Sequence, residues 1–480
     1  MQRSLTKGPI TKGILLFALP LMFGNLLQQM YNIADTWVVG RFLGADALAA
    51  VGSSYTLMTF LTSILLGLCM GSGAAVSMQY GSGEEARMRQ SVFQSFVLIA
   101  GMAVALNVLV YLGLGGILWV LRVPEEIIPL MKEYLRIIFL GITATFLYNY
   151  FANLLRAIGN SVVPLLFLAV SAVLNVILDL VCVLVLHWGV AGAAGATVTA
   201  QLISTVACFA YAFSKYPDLR LHKEDWRITG LDLKRHIVQG VPLGLQFSVL
   251  AIGIIVMQSV VVKFDMIDGQ MVSHAAQNGF GAANKLNSLI MTPVNGLGTA
   301  MTSFTAQNLG AGYTHRIRKG ILQGLVMAAI IGVCSVGLGL LLTIDGAYLH
   351  IFLSADKVTA DTIRFGNHFL YVDFSMYLLL CFLFVIRNCV QGIQRAPFVL
   401  WAGASELIAR VAICLTLPAL LSGGVVSAQS PELAFYALCA ADPLAWLAAD
   451  LALLVPFFKN MMHMNYQYLY GGVEQHLLGK

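Results

Sequence analysis

The sequence predicts an all-α integral membrane protein of twelve transmembrane helices arranged as two parallel six-helix repeats, and three observations predict it. Hydrophobic residues make up 59% of the 480-residue chain and charged residues 11%, against roughly 25% charge in a soluble domain. That much apolar surface has no place to go except lipid. Twelve apolar runs each match the roughly 20 residues that a helix needs to cross the hydrocarbon core. The chain also repeats itself. Gln79-Tyr80-Gly81-Ser82-Gly83, with Arg87 and Arg89 behind it, recurs as Asn308-Leu309-Gly310-Ala311-Gly312 with Arg316 and Arg318 behind it. Ala18-Leu19-Pro20 is answered by Gly240-Val241-Pro242, and Pro164 by Pro397. Such duplication in a membrane chain points to a carrier whose halves rock about a site held between them.

Taken in order, the first run starts near Ile14 and is too long, and too well followed by further spans, to be a cleaved signal peptide. It carries Asn25, Gln28, Asn32 and Asp35 along one stripe of the helix. A charge at the bilayer centre costs at least about 2.5 to 3.5 kcal/mol, so this stripe is expected to face protein or water. The second run, from about Ala47, closes on the first glycine motif. The third and fourth begin near Ser91 and Ile127, and the fourth leads into the turn Arg156-Ala157-Ile158-Gly159-Asn160. The fifth, from Val163, is opened by Pro164 and holds Asn175 and Asp179 one turn apart. The sixth, from Gly189, holds Thr197 and Gln201 at the same interval. Residues 1–214 thus form a first lobe. Residues 215–235 form a polar cytoplasmic linker that carries Asp218, Lys223, Glu224, Asp225 and Arg227.

The second lobe, residues 236–460, repeats the six. Its runs begin near His236, Ala275, Gly320, Ile363, Phe398 and Glu432, and residues 461–480 are expected to be a cytoplasmic tail. Lysines and arginines set the orientation. With the N-terminus in the cytoplasm, that side receives Arg3, Lys7, Lys12, Arg87, Arg89, Arg156, the basic half of the linker, Arg316, Arg318, Lys319, Arg395 and Lys459. The other side receives Arg41, Arg122, Lys132, Lys263 and Lys357. Both termini are therefore expected in the cytoplasm, and six spans per half make the halves parallel repeats. The net charge of +5 follows this pattern and does not suggest nucleic acid. The eight cysteines lie within apolar runs without metal-ligand spacing and read as small buried hydrophobes. There is no Walker loop, nucleophile elbow or metal-spaced His or Cys set, so no enzyme chemistry, metal or cofactor is expected.

The polar residues within the spans carry the chemistry. Asp35 and Asp179, with the amide and hydroxyl oxygens of Asn175 and Thr197, suit a small hard cation, either sodium or a proton. Asn25, Gln28, Asn32 and Gln201 would support them. The competing reading makes both carboxylates structural residues bonded to helix breaks. If Pro20 is laid on Pro242, Asp35 falls on Met257; if Pro164 is laid on Pro397, Asp179 falls on Ala412. The ion site is therefore expected in the first half alone. In the second half Glu406 and Arg410, four apart, form either a neutralising buried pair or part of a second ion site. Lys285 and Asp373 could line a cleft, while Arg387 and Asp450 snorkel or pair near helix ends. Tyr31, Met257 and Met291 suit a cavity for cationic or promiscuous substrates, against the plainer reading of ordinary packing.

Tyr31-Asn32-Ile33-Ala34-Asp35-Thr36-Trp37-Val38-Val39-Gly40-Arg41, followed by Leu43-Gly44-Ala45-Asp46-Ala47-Leu48, resembles the first-helix motif of the multidrug and toxic compound extrusion (MATE) family, prokaryotic branch. Ala306-Gln307-Asn308-Leu309-Gly310-Ala311-Gly312 is similar to that family's second-half signature, and Asn175-Val176-Ile177-Leu178-Asp179 to its fifth-helix motif. The resemblance implies a twelve-helix exporter with two lobes and a V-shaped central cavity in a bacterial or archaeal plasma membrane. It implies efflux of organic cations or other amphipathic drugs in exchange for protons or sodium by alternating access, in a monomer that needs no cofactor. The ion-site residues of relatives with a first-lobe site map onto Asp35, Asn175, Asp179 and Thr197. Other relatives place ion-binding carboxylates on the seventh and tenth helices; here the seventh offers only Gln246 and Gln258, while Asp373 stands on the tenth. Three rivals are weighed against this. A lipid-linked oligosaccharide or precursor flippase of the same broad architecture would need a strongly basic cavity. An intramembrane aspartyl protease would need a Gly-x-Gly-Asp motif, and an ion channel a re-entrant filter.

Overall fold

The computed structural model describes residues 4–120 and 127–470. Arg3, Arg122 and residues 471–480, which enter the orientation and tail expectations, lie outside them. The first three runs are long single helices, α1 (Ile10–Phe42), α2 (Ala45–Ser82) and α3 (Glu85–Val120). The fourth is broken into α4 (Ile128–Leu140) and α5 (Ile142–Ala157), bent by 47°. Gly141 stands at the bend because a side chain there would collide with Val198, which lies on α7 (Gly189–Lys215). Between them runs α6 (Val162–Leu180). It continues through five residues, Val181–Val185, that widen into a π turn, with Leu186 N–H bonded to the Val181 carbonyl at 2.9 Å.

The second half comprises α8 (Gly230–Lys263), α9 (Ala275–Gly310), α10 (Thr314–Thr343) and the short α11 (Leu349–Phe352). A second broken span follows, α12 (Ala360–Ser375) and α13 (Tyr377–Gly392), bent by 56°. The chain then forms α14 (Ala396–Leu421), α15 (Glu432–Cys439) and α16 (Ala441–Tyr470). With each bent pair taken as one span, 11 of the expected runs are long and apolar enough to cross a membrane among the described residues. The remaining one, α9, has the length at 36 residues but is interrupted by Gln277, Asn284, Lys285, Asn287 and Asn295. The helix of α16 runs ten residues into the segment expected to be tail.

Contacts group the described residues into two compact units. The first holds residues 1–245, 302–317 and 391–396, and the second holds 246–301, 318–390 and 397–480. The division therefore cuts through α8 and α9, and the linker 215–235 packs wholly with the first unit.

Within the first unit, the glycines explain why helices approach so closely. Gly67 and Gly71 on α2 face Gly240 and Gly244 at the head of α8, and a methyl group on any of the four would strike the other helix's backbone. Two small-xxx-small faces thus pack against each other, an arrangement that wins stability in lipid through van der Waals contact. His236, one turn earlier, is buried between Ser91 and Ser72, each 3.0 Å from a ring nitrogen. The duplicated glycine motifs also pack together. A side chain at Gly81 would collide with the Gln307 carbonyl, and one at Gly310 with the Met78 carbonyl. The last glycine of each copy, Gly83 at φ 75° and Gly312 at φ 76°, takes the left-handed conformation that ends the helix.

The N-terminal segment is strapped over this crossing. Leu5 is buried, and its N–H donates to Gln307 Oε1 at 3.1 Å. Its carbonyl accepts from Asn308 Nδ2 at 3.2 Å and Arg316 Nη2 at 3.3 Å, while Gly8 accepts from Arg316 Nη1 at 3.0 Å.

The second unit has an aromatic centre in which Phe435 meets Phe365 at 4.7 Å and Phe264 at 5.2 Å. Beyond α8 a two-residue hairpin pairs Met266 with Met271 across Asp268-Gly269, both at positive φ, as a tight type I′ turn requires. The buried Asp265 carboxylate accepts from the N–H groups of Ala276 at 3.0 Å and Gln277 at 2.9 Å, capping the start of α9 where an anion is favoured. None of the eight cysteines forms a disulfide; seven are buried and Cys334 is exposed.

Candidate functional site

In the first unit, α6 packs between α1 and α7 and brings polar groups from all three together. Asn175 and Asp179 lie one turn apart on α6 and are 1% and 0% exposed. Asp35 on α1 and Thr197 on α7 are half-buried beside them. Asn175 Nδ2 donates to Thr197 Oγ1 at 3.2 Å, and Thr197 Oγ1 donates to the Ala193 carbonyl at 3.1 Å. The hydroxyl's one proton is thereby spent on the backbone, which fixes its lone pair toward Asn175. The carboxyl groups of Asp35 and Asp179 lie within hydrogen-bonding reach of each other. Asp35 Oδ1 is buried without a partner. Two carboxyl groups share a hydrogen bond only when one carries a proton. This geometry can therefore hold a proton between the two, or offer oxygens to a small cation when both are ionised. The π turn beginning two residues after Asp179 widens α6 beside the pair, in keeping with the frequent occurrence of such turns at functional sites.

The four residues singled out from the sequence thus come together. Of the supporting stripe, Asn25 and Asn32 are half-buried and Gln28 is exposed, while Gln201 is half-buried with its Oε1 unpartnered. Tyr31 is half-buried on the same helix as Asp35.

In the second unit the Glu406 and Arg410 side chains meet at 3.2 Å, as the four-residue spacing suggests, but they belong to a larger network. Arg387 Nη2 donates to Glu406 Oε2 at 2.7 Å, and Arg410 Nε to Asp442 Oδ1 at 2.6 Å. Two cations and two anions from α13, α14 and α16 therefore neutralise one another inside the unit. Gly253 on α8 makes room for this, since a Cβ there would lie 2.9 Å from Arg410 Nη1. Of the two expectations for Arg387, snorkelling or pairing, it pairs, as a buried member of the network. The i, i+4 signal reveals a pair on one helix only, so Arg387 and Asp442 were not identifiable as its partners. Asp373, fully buried, accepts from Asn287 Nδ2 at 2.7 Å, and its Oδ1 has no partner. Lys285 is exposed, 5.9 Å above the Phe352 ring. Met257 is buried in the unit's packing and Met291 is half-buried. Among the described residues no three His, Cys, Asp or Glu side chains form a metal-binding group.

Comparison with known proteins adds a second line of evidence. The MatE family model matches residues 20–181 and again residues 253–416, once in each half of the duplicated chain. The chain is 33% identical over 314 residues to the probable multidrug resistance protein YpnP of Bacillus subtilis, covering 65% of this chain and 68% of that one. It is 28% identical over 412 residues to the probable multidrug resistance protein YoeA of the same organism, covering 84% and 85%. A solved structure described as the outward-facing conformation of a multidrug resistance MATE family transporter superposes with a TM-score of 0.85 at 19% identity, covering 96% of this chain and 98% of that one. A transporter from Pyrococcus furiosus superposes at 0.83, also at 19% identity, over 96% and 98%.

Proposed function

The chain belongs to the MatE family, and on that premise we propose that it is a secondary active antiporter exporting amphipathic or cationic drugs in exchange for protons or sodium. The observation that carries the reading is the meeting of Asp35 and Asp179 beside Asn175 and Thr197. Relatives in Bacillus subtilis and Staphylococcus aureus that are named multidrug resistance or multidrug export proteins support the substrate class. Asp35 and Asp179 exchange the coupling cation, and Asn175 and Thr197 orient the oxygens around it. Asn25, Asn32 and Gln201 line the approach. An occupied pair and an empty pair differ by one unit of buried charge and favour different helix packings, which is what alternating access requires.

One ion per drug suffices energetically. A unit charge moving inward through 100 mV releases about 2.3 kcal/mol, equal to roughly a fifty-fold gradient of an uncharged drug. For a monocationic drug exchanged against one monovalent ion, the ion's concentration gradient alone drives transport. The distribution of Lys and Arg supports cytoplasmic termini, and the bacterial relatives support a prokaryotic plasma membrane. The protein acts as a monomer in the bilayer.

Reconstitution tests this. Proteoliposomes given a fluorescent monocationic dye should move it saturably when a pH gradient is imposed at fixed sodium, or when a sodium gradient is imposed at fixed pH. Failure of both gradients in vesicles that retain folded protein would overturn the antiporter reading.

A further inference from the structure

The linker between α7 and α8 reads as polar in sequence, yet it presents three large apolar side chains to the outside. Trp226, Ile228 and Leu231 are 63%, 53% and 50% exposed. They are not loosely held. Arg89 Nε donates to Asp225 Oδ2 at 3.1 Å, and the same oxygen accepts the His222 N–H at 2.8 Å. Gln94 Nε2 donates to the Arg227 carbonyl at 2.8 Å. The Trp226 ring lies parallel to that of Phe93 on α3, with centroids 5.7 Å apart and planes 6° apart.

This stacking sets the depth of the indole. The start of α3 is polar through Arg87, Arg89, Gln90 and Ser91, and its outer face turns apolar at Phe93, Phe96 and Val97, the last two being exposed side chains. Trp226 therefore stands level with the change from polar to apolar on the outer face of α3, and in a bilayer tryptophan is favoured at such a boundary.

Exposed cations flank it along the chain: Arg220, Lys223, Arg227 and Lys234. The Arg220 guanidinium donates to the Phe213 and Ser214 carbonyls, which leaves its charge uncompensated. Of the nearby acids, Asp225 is tied to Arg89 and Asp232 to Arg235, while Asp218, Glu224 and the Arg89-paired Glu85 stand exposed against the four cations.

We propose that residues 220–234 are an interfacial anchor that seats Trp226, Ile228 and Leu231 in the head-group layer and gathers anionic phospholipid through Arg220, Lys223, Arg227 and Lys234. The apolar tips fit any lipid, and the four cations select the anionic ones. Binding on this surface steadies the linker and, through Gln94 and Arg89, the start of α3.

The full-length protein in phosphatidylcholine vesicles, titrated with lipids brominated on their acyl chains, tests this through tryptophan fluorescence. The Trp226 component is the difference between the wild-type protein and Trp226→Phe. Brominated phosphatidylglycerol should quench that component at a several-fold lower mole fraction than brominated phosphatidylcholine. A Lys223→Gln/Arg227→Gln/Lys234→Gln variant should lose the preference while keeping the quenching, because these side chains are exposed and carry no fold. Symmetric vesicles hold the same lipid in both leaflets, so the outcome does not depend on orientation. Absence of quenching by either lipid would overturn the anchor and make Trp226 a contact for water or a protein partner. Equal quenching by both, unchanged in the triple variant, would overturn the selection of anionic lipid.

Discussion

Arg410 makes two hydrogen-bonded ion pairs, with Glu406 and with Asp442, on a side chain 5% exposed. Removing one partner of such a buried network leaves a charge uncompensated and costs about 3 to 5 kcal/mol. Glu406→Gln should therefore lower the thermal unfolding temperature and the yield of membrane-inserted protein more than it alters coupling, as fluorescence-detected size exclusion would show. Normal abundance with a clean loss of coupling would move an ion site into the second unit. At Asp225, burial pushes the carboxyl upward, but the His222 N–H and the Arg89 guanidinium outweigh it and hold the pKa below the ordinary value. A depressed carboxyl stabilises the fold above its unfolded value, about 3.9, and that stability is lost as pH falls through the lower folded value. The Trp226 fluorescence component should change as pH falls below about 4. Asp225→Asn should show the acid signal already at neutral pH. The types and positions of Asp35 and Asp179 were legible because charge within an apolar run is costly. The resemblance of their motifs to the MATE family grouped them with Asn175 and Thr197 in one expected site; the direct approach of the two carboxyl groups across α1 and α6 was not legible, since helical spacing relates residues on one helix only.

At the scale of elements, close helix crossings depend on glycine. A methyl group at Gly81 or Gly310 would occupy the space of a backbone carbonyl on the opposing helix. Gly81→Ala and Gly310→Ala should each destabilise by at least about 1 to 3 kcal/mol, the usual range for overpacking. Gly101→Ala in α3, with nothing near its Cβ, should be neutral or stabilise by up to about 1 kcal/mol. Thermal unfolding in detergent would separate them, and equal behaviour would contradict the crossing. The repetition of these motifs was visible in sequence; that the two copies pack against each other was not, because the contact joins residues more than 200 positions apart. The 47° and 56° breaks in the fourth and tenth runs escaped the sequence reading for a related reason. Hydropathy measures composition along the chain and carries no information about direction. The π turn at Val181–Val185 likewise leaves no compositional mark.

At the scale of the whole molecule, the duplication is the most informative property of the chain. It appears in the paired glycine and proline motifs and in the two separate matches of one family model. The halves have nonetheless diverged in chemistry. The first unit joins two carboxyl groups to an amide and a hydroxyl, whereas the second neutralises Glu406 and Asp442 with Arg387 and Arg410. Such asymmetry is consistent with cation exchange centred on one half, while the other holds two ion-paired arginines together with the further buried acids Asp373 and Asp450. The most direct test is gradient-driven dye transport in proteoliposomes with Asp35→Asn and Asp179→Asn, both of which keep the side-chain shape and remove the ionisable group. Wild-type protein should accumulate dye against its gradient, and Asp35→Asn should remain folded and bind dye without driven transport. Undiminished driven transport by both variants would contradict the assignment of coupling to this pair.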